Sequence, residues 1–335
     1  MKIGVIGLGY WGPNIVRNIL TNKNVASVVC CDMNTKRLES IRQKFPTVET
    51  VSDYKAILKN TSVVAVAIVT PVSTHYPLAK EALEAGKHVL IEKPMTDSAD
   101  HARELIAFAG KRKLTLMVDH TFIYTGAVRK IKELISAGEL GDILYFDSVR
   151  VNLGLFQHDV NVIWDLAPHD VSIMDYVIDK KPVSVSAVGV SHYNNIEDVA
   201  YLTVNFDDDL IAHFHINWLS PVKVRKMLIG GSKKMIVYDD MDQSEKVKVY
   251  NKGVDIQSEE MVHKALVQYR IGDMYAPNLD QTEALAGMIA DFIDSIINER
   301  MPQSNGAAGL NVVKILEASQ KSLQNKSAVI PLEGN

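Results

Sequence analysis

The amino terminus narrows the possible folds more than any other segment, because it joins a short apolar strand, a glycine-rich turn and a helix. The strand is Ile3-Gly4-Val5-Ile6, and the turn is Gly7-Leu8-Gly9-Tyr10-Trp11-Gly12. The residues that follow repeat apolar side chains at helical spacing, with proline in the first turn. In such a turn, Gly7 permits the tight bend, Gly9 lets backbone approach a phosphate, and Gly12 lets helix and strand pack closely. The free N–H groups of the helix would bind a pyrophosphate.

A second apolar strand, residues 26–31, ends on Asp32, which lies about 20 residues after Gly12. That spacing predicts a carboxylate that accepts hydrogen bonds from the adenosine ribose hydroxyls and repels a 2′-phosphate. The sequence therefore predicts a dinucleotide site that favours NAD over NADP. Arg37 leaves an alternative open, because it is either a phosphate ligand or a solvated residue of the next helix.

Lys93 follows the apolar strand residues 89–91 and stands between Glu92 and Pro94. Ionisable groups avoid such positions unless they are paired or used. We interpret Lys93 as a catalytic lysine beside a nicotinamide ring. The alternative is a strand that simply ends in polar residues before a proline turn.

A second set of candidate catalytic residues lies in Trp164-Asp165-Leu166-Ala167-Pro168-His169-Asp170. Pro168 suits the first turn of a helix, which predicts that Asp165 and His169 bracket a helix start rather than lie along one helix face. Histidine is suited to accept a proton from a sugar hydroxyl near neutral pH, and a carboxylate can fix its tautomer. The alternative is an N-terminal capping arrangement with a packed histidine.

Strands and helices alternate up to about residue 120, which predicts a doubly wound parallel sheet of the Rossmann type. Ligands of such sheets sit at the carboxyl ends of strands, so Thr70, His75 and Glu92 are expected to line the crevice with Lys93. Strand-end capping for Thr70 and an exposed helix start for His75 are the alternatives. Beyond Thr121, long strands with alternating faces predict an open-faced antiparallel sheet.

The fold class is therefore predicted as α/β, with an NAD-binding domain at 1–120 and an α+β substrate and oligomerisation domain at 121–335. The last helix, about 306–324, is expected to pack back on the first domain. His213 and His215 share one strand face, but no third ligand stands at a suitable spacing, so no metal site is predicted.

Charge and cysteine content limit the possible partners. A net charge of −4 without a sustained basic stripe argues against nucleic acid and anionic membranes. The adjacent Cys30 and Cys31 cannot form an ordinary disulfide with each other, which predicts a reducing cytoplasm. No apolar run reaches the length that spans a bilayer.

Four motifs in this order resemble the glucose-fructose oxidoreductase / inositol dehydrogenase / MocA family: the glycine turn with Tyr10 and Trp11, Thr70-Pro71 with His75, Glu92-Lys93-Pro94, and Asp165-x-x-x-His169. The segments 9–14, 161–169 and 309–313 most resemble its bacterial sugar-nucleotide dehydrogenases, which act on the 3-hydroxyl of UDP-linked N-acetylhexosamines or their uronates. The resemblance also suggests a cis peptide bond before Pro94. One departure is Asp119-His120-Thr121, where the family pattern has Gly-His-Thr.

The resemblance implies that NAD contacts Gly7, Gly9, Tyr10, Trp11, Gly12, Asp32, Thr70, His75, Glu92 and Lys93. It implies oxidation of a sugar hydroxyl by Lys93, Asp165 and His169, with either Lys93 or His169 as the base. Candidate substrate contacts, for each of which ordinary core or surface placement is an equal alternative, are His120, Tyr124, Arg150, Asn152 and Asn161. Arg150 would pair with a uronate carboxylate or a diphosphate, or bind nothing.

The resemblance further implies a homodimer or homotetramer formed through the carboxy-terminal sheet. Alternative functions are a keto-sugar reductase, an inositol or polyol dehydrogenase, and a nicotinamide-sensing regulator without turnover. Retention of Lys93, Asp165 and His169 together argues against the regulator, because a sensor needs only the pocket and the glycines.

Overall fold

The computed structural model describes residues 1–332 except 155, 156, 158, 194, 252, 256–267 and 271. The chain divides into two compact units. The first comprises Met1–Tyr124 and Thr282–Lys314, and the second comprises Thr125–Gln281 and Ile315–Asn335. No helix among the described residues is long and apolar enough to cross a membrane.

The first unit contains a six-stranded parallel sheet in the order β3-β2-β1-β4-β5-β6. Its strands are β1 (Lys2–Ile6), β2 (Ser27–Cys31), β3 (Glu49–Val51), β4 (Val63–Ile68), β5 (His88–Ile91) and β6 (Leu116–Val118). The α-helices among the described residues of both units are α1 (Gly12–Leu20), α2 (Thr35–Lys44), α3 (Tyr54–Lys59), α4 (His75–Glu84), α5 (Ala99–Arg112), α6 (Gly126–Ser136), α7 (Val162–Val177), α8 (Ala284–Ile297) and α9 (Gly306–Gln324). Short 3-10 helices lie at Val72–Thr74 and Thr121–Tyr124.

The central strands of this sheet are apolar on both faces because helices cover both sides of a doubly wound sheet. Ile3 and Val5 on β1 are fully buried, as are Val66 and Ile68 on β4. The predicted parallel, doubly wound architecture is therefore confirmed.

Backbone hydrogen bonds between neighbouring strands continue past the strand ends, so the residues that directly follow the strands remain paired. Gly7 N donates to the Cys31 carbonyl at 2.9 Å. Glu92 N donates to the Ile68 carbonyl at 2.9 Å, and Asp119 N donates to the Ile91 carbonyl at 2.7 Å. Residues that follow β1, β5 and β6 therefore lie at one edge of the sheet, where ligands of this architecture bind.

The second unit contains a nine-stranded sheet in the order β16-β13-β12-β11-β7-β10-β9-β8-β17. Its strands are β7 (Ile143–Leu153), β8 (Pro182–Val190), β9 (Val199–Phe206), β10 (Ile211–Asn217), β11 (Leu219–Gly231), β12 (Met235–Asp239), β13 (Val247–Tyr250), β16 (Met274–Tyr275) and β17 (Ile330–Pro331). A small separate sheet pairs β14 (Gly253–Asp255) with β15 (Gln268–Arg270). Only β7 and β10 run parallel within the nine-stranded sheet, so the predicted, largely antiparallel sheet is confirmed.

One face of this sheet is packed against α7. The other, called the open face below, carries exposed and partly exposed side chains. On β10, Phe214 and Ile216 are fully buried, whereas His213 and His215 on the opposite face are partly exposed. Tyr201 on β9 stacks on the His215 ring, with 4.5 Å between the ring centroids. The alternation read from the sequence matches these two faces.

The start of α7 differs from the sequence prediction. The helix begins at Val162, and its cap is Asn161, whose side-chain oxygen accepts a hydrogen bond from the Trp164 N–H at 3.2 Å. Pro168 lies inside the helix, where it removes only one backbone donor, and the cap decides where the helix begins. Asp165 and His169 therefore do not bracket a helix start; they are four residues apart on one face of α7.

Candidate active site

The three glycines of the amino-terminal turn have different surroundings. Gly7 has a φ of +99°, and a Cβ there would lie 2.3 Å from the Val69 carbonyl oxygen. A Cβ at Gly12 would lie 2.3 Å from the Gly7 carbonyl oxygen, whereas a Cβ at Gly9 would meet no atom within 4 Å. Gly7 and Gly12 are therefore required by the packing of the protein itself. The open space beside Gly9 fits a group that approaches the backbone closely, as a pyrophosphate does.

Asp32 is oriented by the turn on which a dinucleotide would lie. Its Oδ2 accepts a hydrogen bond from Leu8 N at 2.8 Å, and its Oδ1 accepts one from Asn34 N at 2.8 Å. Arg37 Nη1 lies 3.3 Å from Asp32 Oδ2, so this guanidinium pairs with the carboxylate. Tyr10, by contrast, is 93% exposed. The carboxylate keeps lone pairs for ribose hydroxyls, which fits NAD.

Trp11 connects the glycine-rich turn to the end of β6. Its indole Nε1 donates to Asp119 Oδ2 at 3.0 Å, and Thr121 Oγ1 donates to the other carboxylate oxygen. Burial raises the pKa of Asp119, while the Thr121 and Trp11 hydrogen bonds and the charge of Lys93 act in the opposite direction. Lys93, which is half-buried, therefore stands within electrostatic range of this carboxylate.

His75, expected on the cofactor side, is buried at the start of α4. Its Nδ1 lies 2.9 Å from the Pro94 carbonyl oxygen and its Nε2 lies 2.7 Å from the Thr70 carbonyl oxygen. Burial lowers its pKa, although both carbonyls act to raise it. Because both ring nitrogens are engaged, His75 positions the Thr70 and Lys93-Pro94 loops. The Lys93–Pro94 peptide bond is cis, as the family resemblance suggested.

His120, expected at the substrate cleft, is 1% exposed, and neither ring nitrogen has a hydrogen-bond partner among the described residues. Burial, assisted by the charge of Lys93, lowers its pKa to about 3, so the ring is neutral at physiological pH. Both nitrogens are inaccessible in this conformation, so direct contact with a substrate would require a local rearrangement.

Tyr124, expected to flank the substrate cleft, forms hydrogen bonds inside the first unit. Its hydroxyl donates to Asp291 Oδ2 at 2.6 Å and lies 3.1 Å from Ser304 Oγ. Burial and the Asp291 carboxylate raise its pKa. The side chain is buried, and it joins the Thr121–Tyr124 turn to α8.

In the second unit, Asp165 is held by a buried tryptophan that the sequence analysis did not single out. Trp218 lies between β10 and β11 and is fully buried, and its indole Nε1 donates to Asp165 Oδ2 at 3.0 Å. A buried indole N–H needs a hydrogen-bond acceptor, which was the signal that the sequence offered for a role of Trp218. The sequence did not identify which residue accepts.

Arg150, expected to reach substrate, forms a buried ion pair inside the second unit. Its Nε and Nη2 donate to Asp170 Oδ1 at 2.8 Å and 2.5 Å. Ser148 Oγ donates to the other oxygen of Asp170 at 2.6 Å. Since Asp170 directly follows His169, this ion pair fixes α7 against β7 at the position of the candidate base.

Asn161, also expected to reach substrate, forms hydrogen bonds inside the second unit. Besides capping α7, its amide nitrogen donates to Glu197 Oε2 at 2.9 Å and Gln320 Oε1 at 2.8 Å. Asn152 lies half-buried on β7. No group of three potential metal ligands occurs within the described part of the chain.

Each unit thus gathers part of the candidate site. The first brings the glycine turn, Asp32 and the half-buried Thr70, Glu92 and Lys93 to the carboxyl edge of its sheet. The second places Asp165 and His169 on one face of α7. The first set can hold a dinucleotide, and the second can accept a proton with a carboxylate to orient it.

Comparison with known proteins agrees with this division. Residues 1–120 match the family described as "Oxidoreductase family, NAD-binding Rossmann fold", and residues 128–237 match the GFO/IDH/MocA C-terminal domain. The predicted family resemblance and NAD as the cofactor are therefore confirmed.

Two relatives match nearly end to end. The UDP-N-acetylglucosamine 3-dehydrogenase of Acidithiobacillus ferrooxidans is 29% identical over 93% of this chain and 94% of its own length. Its solved structure covers 97% of this chain and 99% of that chain, with a TM-score of 0.80 and 27% identity. The scyllo-inositol 2-dehydrogenase (NADP(+)) IolW of Bacillus subtilis is 24% identical over 98% of this chain and 96% of its own. GenD2 from gentamicin A biosynthesis, solved in complex with NAD, shares the fold at a TM-score of 0.83 and 20% identity, covering 100% of this chain and 97% of that chain.

Proposed function

Because the chain belongs to the GFO/IDH/MocA oxidoreductase family, we propose that it oxidises the 3-hydroxyl of a nucleotide-linked sugar with NAD. The substrate in this proposal is UDP-N-acetylglucosamine or its uronate. One observation carries the choice: the similarity to a UDP-N-acetylglucosamine 3-dehydrogenase extends over 93% of the chain.

In the proposed mechanism, Gly7, Gly9 and Gly12 receive the cofactor pyrophosphate and Asp32 its adenosine ribose. NAD, when bound, supplies the nicotinamide carbon that accepts hydride from the sugar. Thr70 and Glu92 lie beside Lys93 and border the part of the proposed cofactor site that receives the nicotinamide. These assignments are supported by the positions of the residues at one edge of the parallel sheet.

His169 takes the hydroxyl proton, and Lys93 holds the hydroxyl oxygen by a hydrogen bond and can share the proton transfer. Asp165 orients His169 from the preceding turn of α7. Trp218 keeps the Asp165 carboxylate in place through its 3.0 Å hydrogen bond.

The test mixes purified protein with NAD and a panel that contains UDP-N-acetylglucosamine, its uronate, other UDP-hexoses and free inositol. Reduced nicotinamide is followed by absorbance, and a single turnover is measured by rapid mixing in case the reduced cofactor stays bound. We expect a signal with the N-acetylated nucleotide sugars. A signal with inositol and none with nucleotide sugars would overturn the substrate assignment.

A polyol is the second candidate, favoured by the similarity to scyllo-inositol 2-dehydrogenase over 98% of the chain. The reverse reaction, reduction of a keto-sugar, is tested by offering the 3-keto product with NADH. Binding of NAD without turnover on any of these compounds would instead favour a nicotinamide-sensing regulator.

We also propose a homodimer or homotetramer that forms through the open face of the nine-stranded sheet. Tyr201, His213 and His215 occupy the middle of that face, and Val188 beside them is exposed. A cytoplasmic setting is proposed as well, supported by the free thiols of Cys30 and Cys31.

A further inference from the structure

A buried carboxylate stands where the family pattern has glycine. Asp119 is 3% exposed and directly follows β6. Its backbone N–H donates to the Ile91 carbonyl at 2.7 Å, two residues before Lys93. Its side chain accepts the Trp11 indole N–H at 3.0 Å. The carboxylate is therefore tied both to the strand that carries Lys93 and to the turn that receives the cofactor.

The strands that precede Asp119 and Asp32 indicate which half of the cofactor Asp119 faces. Asp32 ends β2, on one side of β1, whereas Lys93 and Asp119 follow β5 and β6 on the other side. In a doubly wound sheet the two halves of a dinucleotide bind on opposite sides of the first strand. Asp119 accordingly belongs to the nicotinamide side.

Burial raises the pKa of Asp119, but the hydrogen bonds from Thr121 and Trp11 and the charge of Lys93 oppose that rise and favour the ionised carboxylate. Lys93 contributes one positive charge, and its electrostatic effect reaches both Asp119 and His120. His120 is neutral because its pKa is lowered to about 3. Thr121 and Trp11 contribute only neutral hydrogen-bond donors.

Oxidised nicotinamide carries a positive charge on its ring, and reduced nicotinamide carries none. A buried carboxylate nearby stabilises the oxidised form selectively, and low polarity around the site strengthens that interaction. A neutral hydrogen-bond partner such as the Trp11 indole has no comparable preference. The effect of the Asp119 charge and the effect of its hydrogen bond from Trp11 can therefore be separated by mutation.

We propose that Asp119 makes the cofactor site selective for oxidised over reduced nicotinamide, and that Trp11 positions this carboxylate. The inference rests on the proposed function, since it requires that NAD binds at the glycine turn with its nicotinamide beside Lys93. Asp119 acts here as a residue that sets cofactor preference through charge, and Trp11 acts as a positioning residue.

The experiment measures dissociation constants for NAD and NADH separately, by calorimetry and by NADH fluorescence, in the intact protein. Asp119→Asn keeps an acceptor for Trp11 but removes the charge, and should lower the preference for NAD over NADH about tenfold or more, as expected for two charges within roughly 12 Å of each other at an effective dielectric constant of about 20. Trp11→Phe keeps the carboxylate and should weaken both forms by similar factors. Asp100→Asn, at a side chain that is 90% exposed in the same unit, is the matched control and should change neither constant.

Asp119→Gly restores the residue of the family pattern and serves as the second charge-removing variant if the asparagine variant does not fold. An unchanged ratio of the two constants in the folded charge-removing variant would overturn the inference, even if both affinities fell. If the affinities for NAD and NADH fell by the same factor in the Asp119 and Trp11 variants alike, Asp119 would have a purely structural role and the inference would be overturned. Failure of the unaltered protein to bind either cofactor would instead reject the proposed function.

Discussion

At the candidate site, some residues are surrounded by protein atoms and others border open space. A Cβ at Gly12 would meet the backbone of the turn, while a Cβ at Gly9 would meet no atom of the described residues within 4 Å. His75 and Tyr124 have the polar chemistry of site residues, yet their polar atoms are engaged by neighbouring backbone and side chains. The environment of a residue therefore decides its role as much as its type does.

Gly9→Ala should weaken NAD binding without changing the unfolding temperature. The added methyl group enters the open space proposed for the pyrophosphate and contacts no protein atom within 4 Å. Gly12→Ala should lower the unfolding temperature instead, because its Cβ would lie 2.3 Å from the Gly7 carbonyl oxygen. Calorimetric titration with NAD and thermal unfolding of each variant check both expectations. Full NAD affinity in Gly9→Ala would contradict the proposed cofactor position.

Lys93→Ala should reduce turnover far more than NAD affinity, because its ammonium is proposed to contact the reacting hydroxyl. Steady-state kinetics and NAD titration on the same preparation measure the two effects. Lys80→Ala is the control, since Lys80 pairs with Glu104 on the surface of the same unit at 2.6 Å. Unchanged turnover in Lys93→Ala would remove this lysine from the mechanism.

At the scale of elements, α7 is the part of the second unit whose placement matters most. Its start is set by Asn161, and its middle is fixed to β7 by the ion pair of Arg150 with Asp170. Asp165 is fixed by Trp218 from between β10 and β11. Three separate contacts therefore determine how the helix presents Asp165 and His169.

Asp170→Asn or Arg150→Met alone should lower the free energy of unfolding by about 3 to 5 kcal/mol, because each leaves a buried charge without its partner. The double variant Arg150→Met with Asp170→Asn should lose less than the sum of the single losses, since neither charge remains. Urea unfolding monitored by circular dichroism provides these values. Asp208→Asn is the control, because it breaks a solvent-exposed pair with Lys180 that should contribute little to stability. Additive losses in the double variant would show that the pair is not coupled.

At the scale of the whole molecule, buried histidines make stability depend on pH. The pKa of His120 falls to about 3 on folding, whereas an unfolded histidine titrates near pH 6.5. Between these values the unfolded state binds a proton that the folded state does not, so acidification favours unfolding.

Stability should therefore be full above about pH 6.5 and fall as the pH drops towards 3, by at most about 1.4 kcal/mol per pH unit for this one proton. His120→Phe should make the decline shallower, since it removes the titrating ring. Unfolding temperatures of both proteins between pH 7.5 and pH 4.5 test this expectation. An equal slope in the two proteins would assign the acid sensitivity to other groups.

Tyr201→Glu should weaken the proposed assembly, because it places a charge in the middle of the open sheet face, where Tyr201 stacks on His215. Light scattering coupled to size-exclusion chromatography measures the mass of each protein. Lys223→Glu, at an exposed position of β11 away from that stack, is the control. An assembly of unchanged mass in Tyr201→Glu would place the interface elsewhere.

The sequence alone determined the features that depend on neighbours along the chain. A strand, a glycine turn and a helix within the first 20 residues define the dinucleotide motif, and the spacing to Asp32 is local to the next strand. The apolar alternation of β9 and β10 likewise predicted a sheet with one buried face. Such features follow from periodicity and turn chemistry, which short segments specify by themselves.

Only the tertiary structure decided which polar side chains form hydrogen bonds with other groups of the protein. Arg150 meets Asp170 and Tyr124 meets Asp291 through contacts between residues distant in sequence. Trp218 acquired a role beside Asp165, and Asp119 one beside Trp11, for the same reason. A side chain can satisfy a hydrogen bond with any group that folding brings near it, and chain order does not encode that partner.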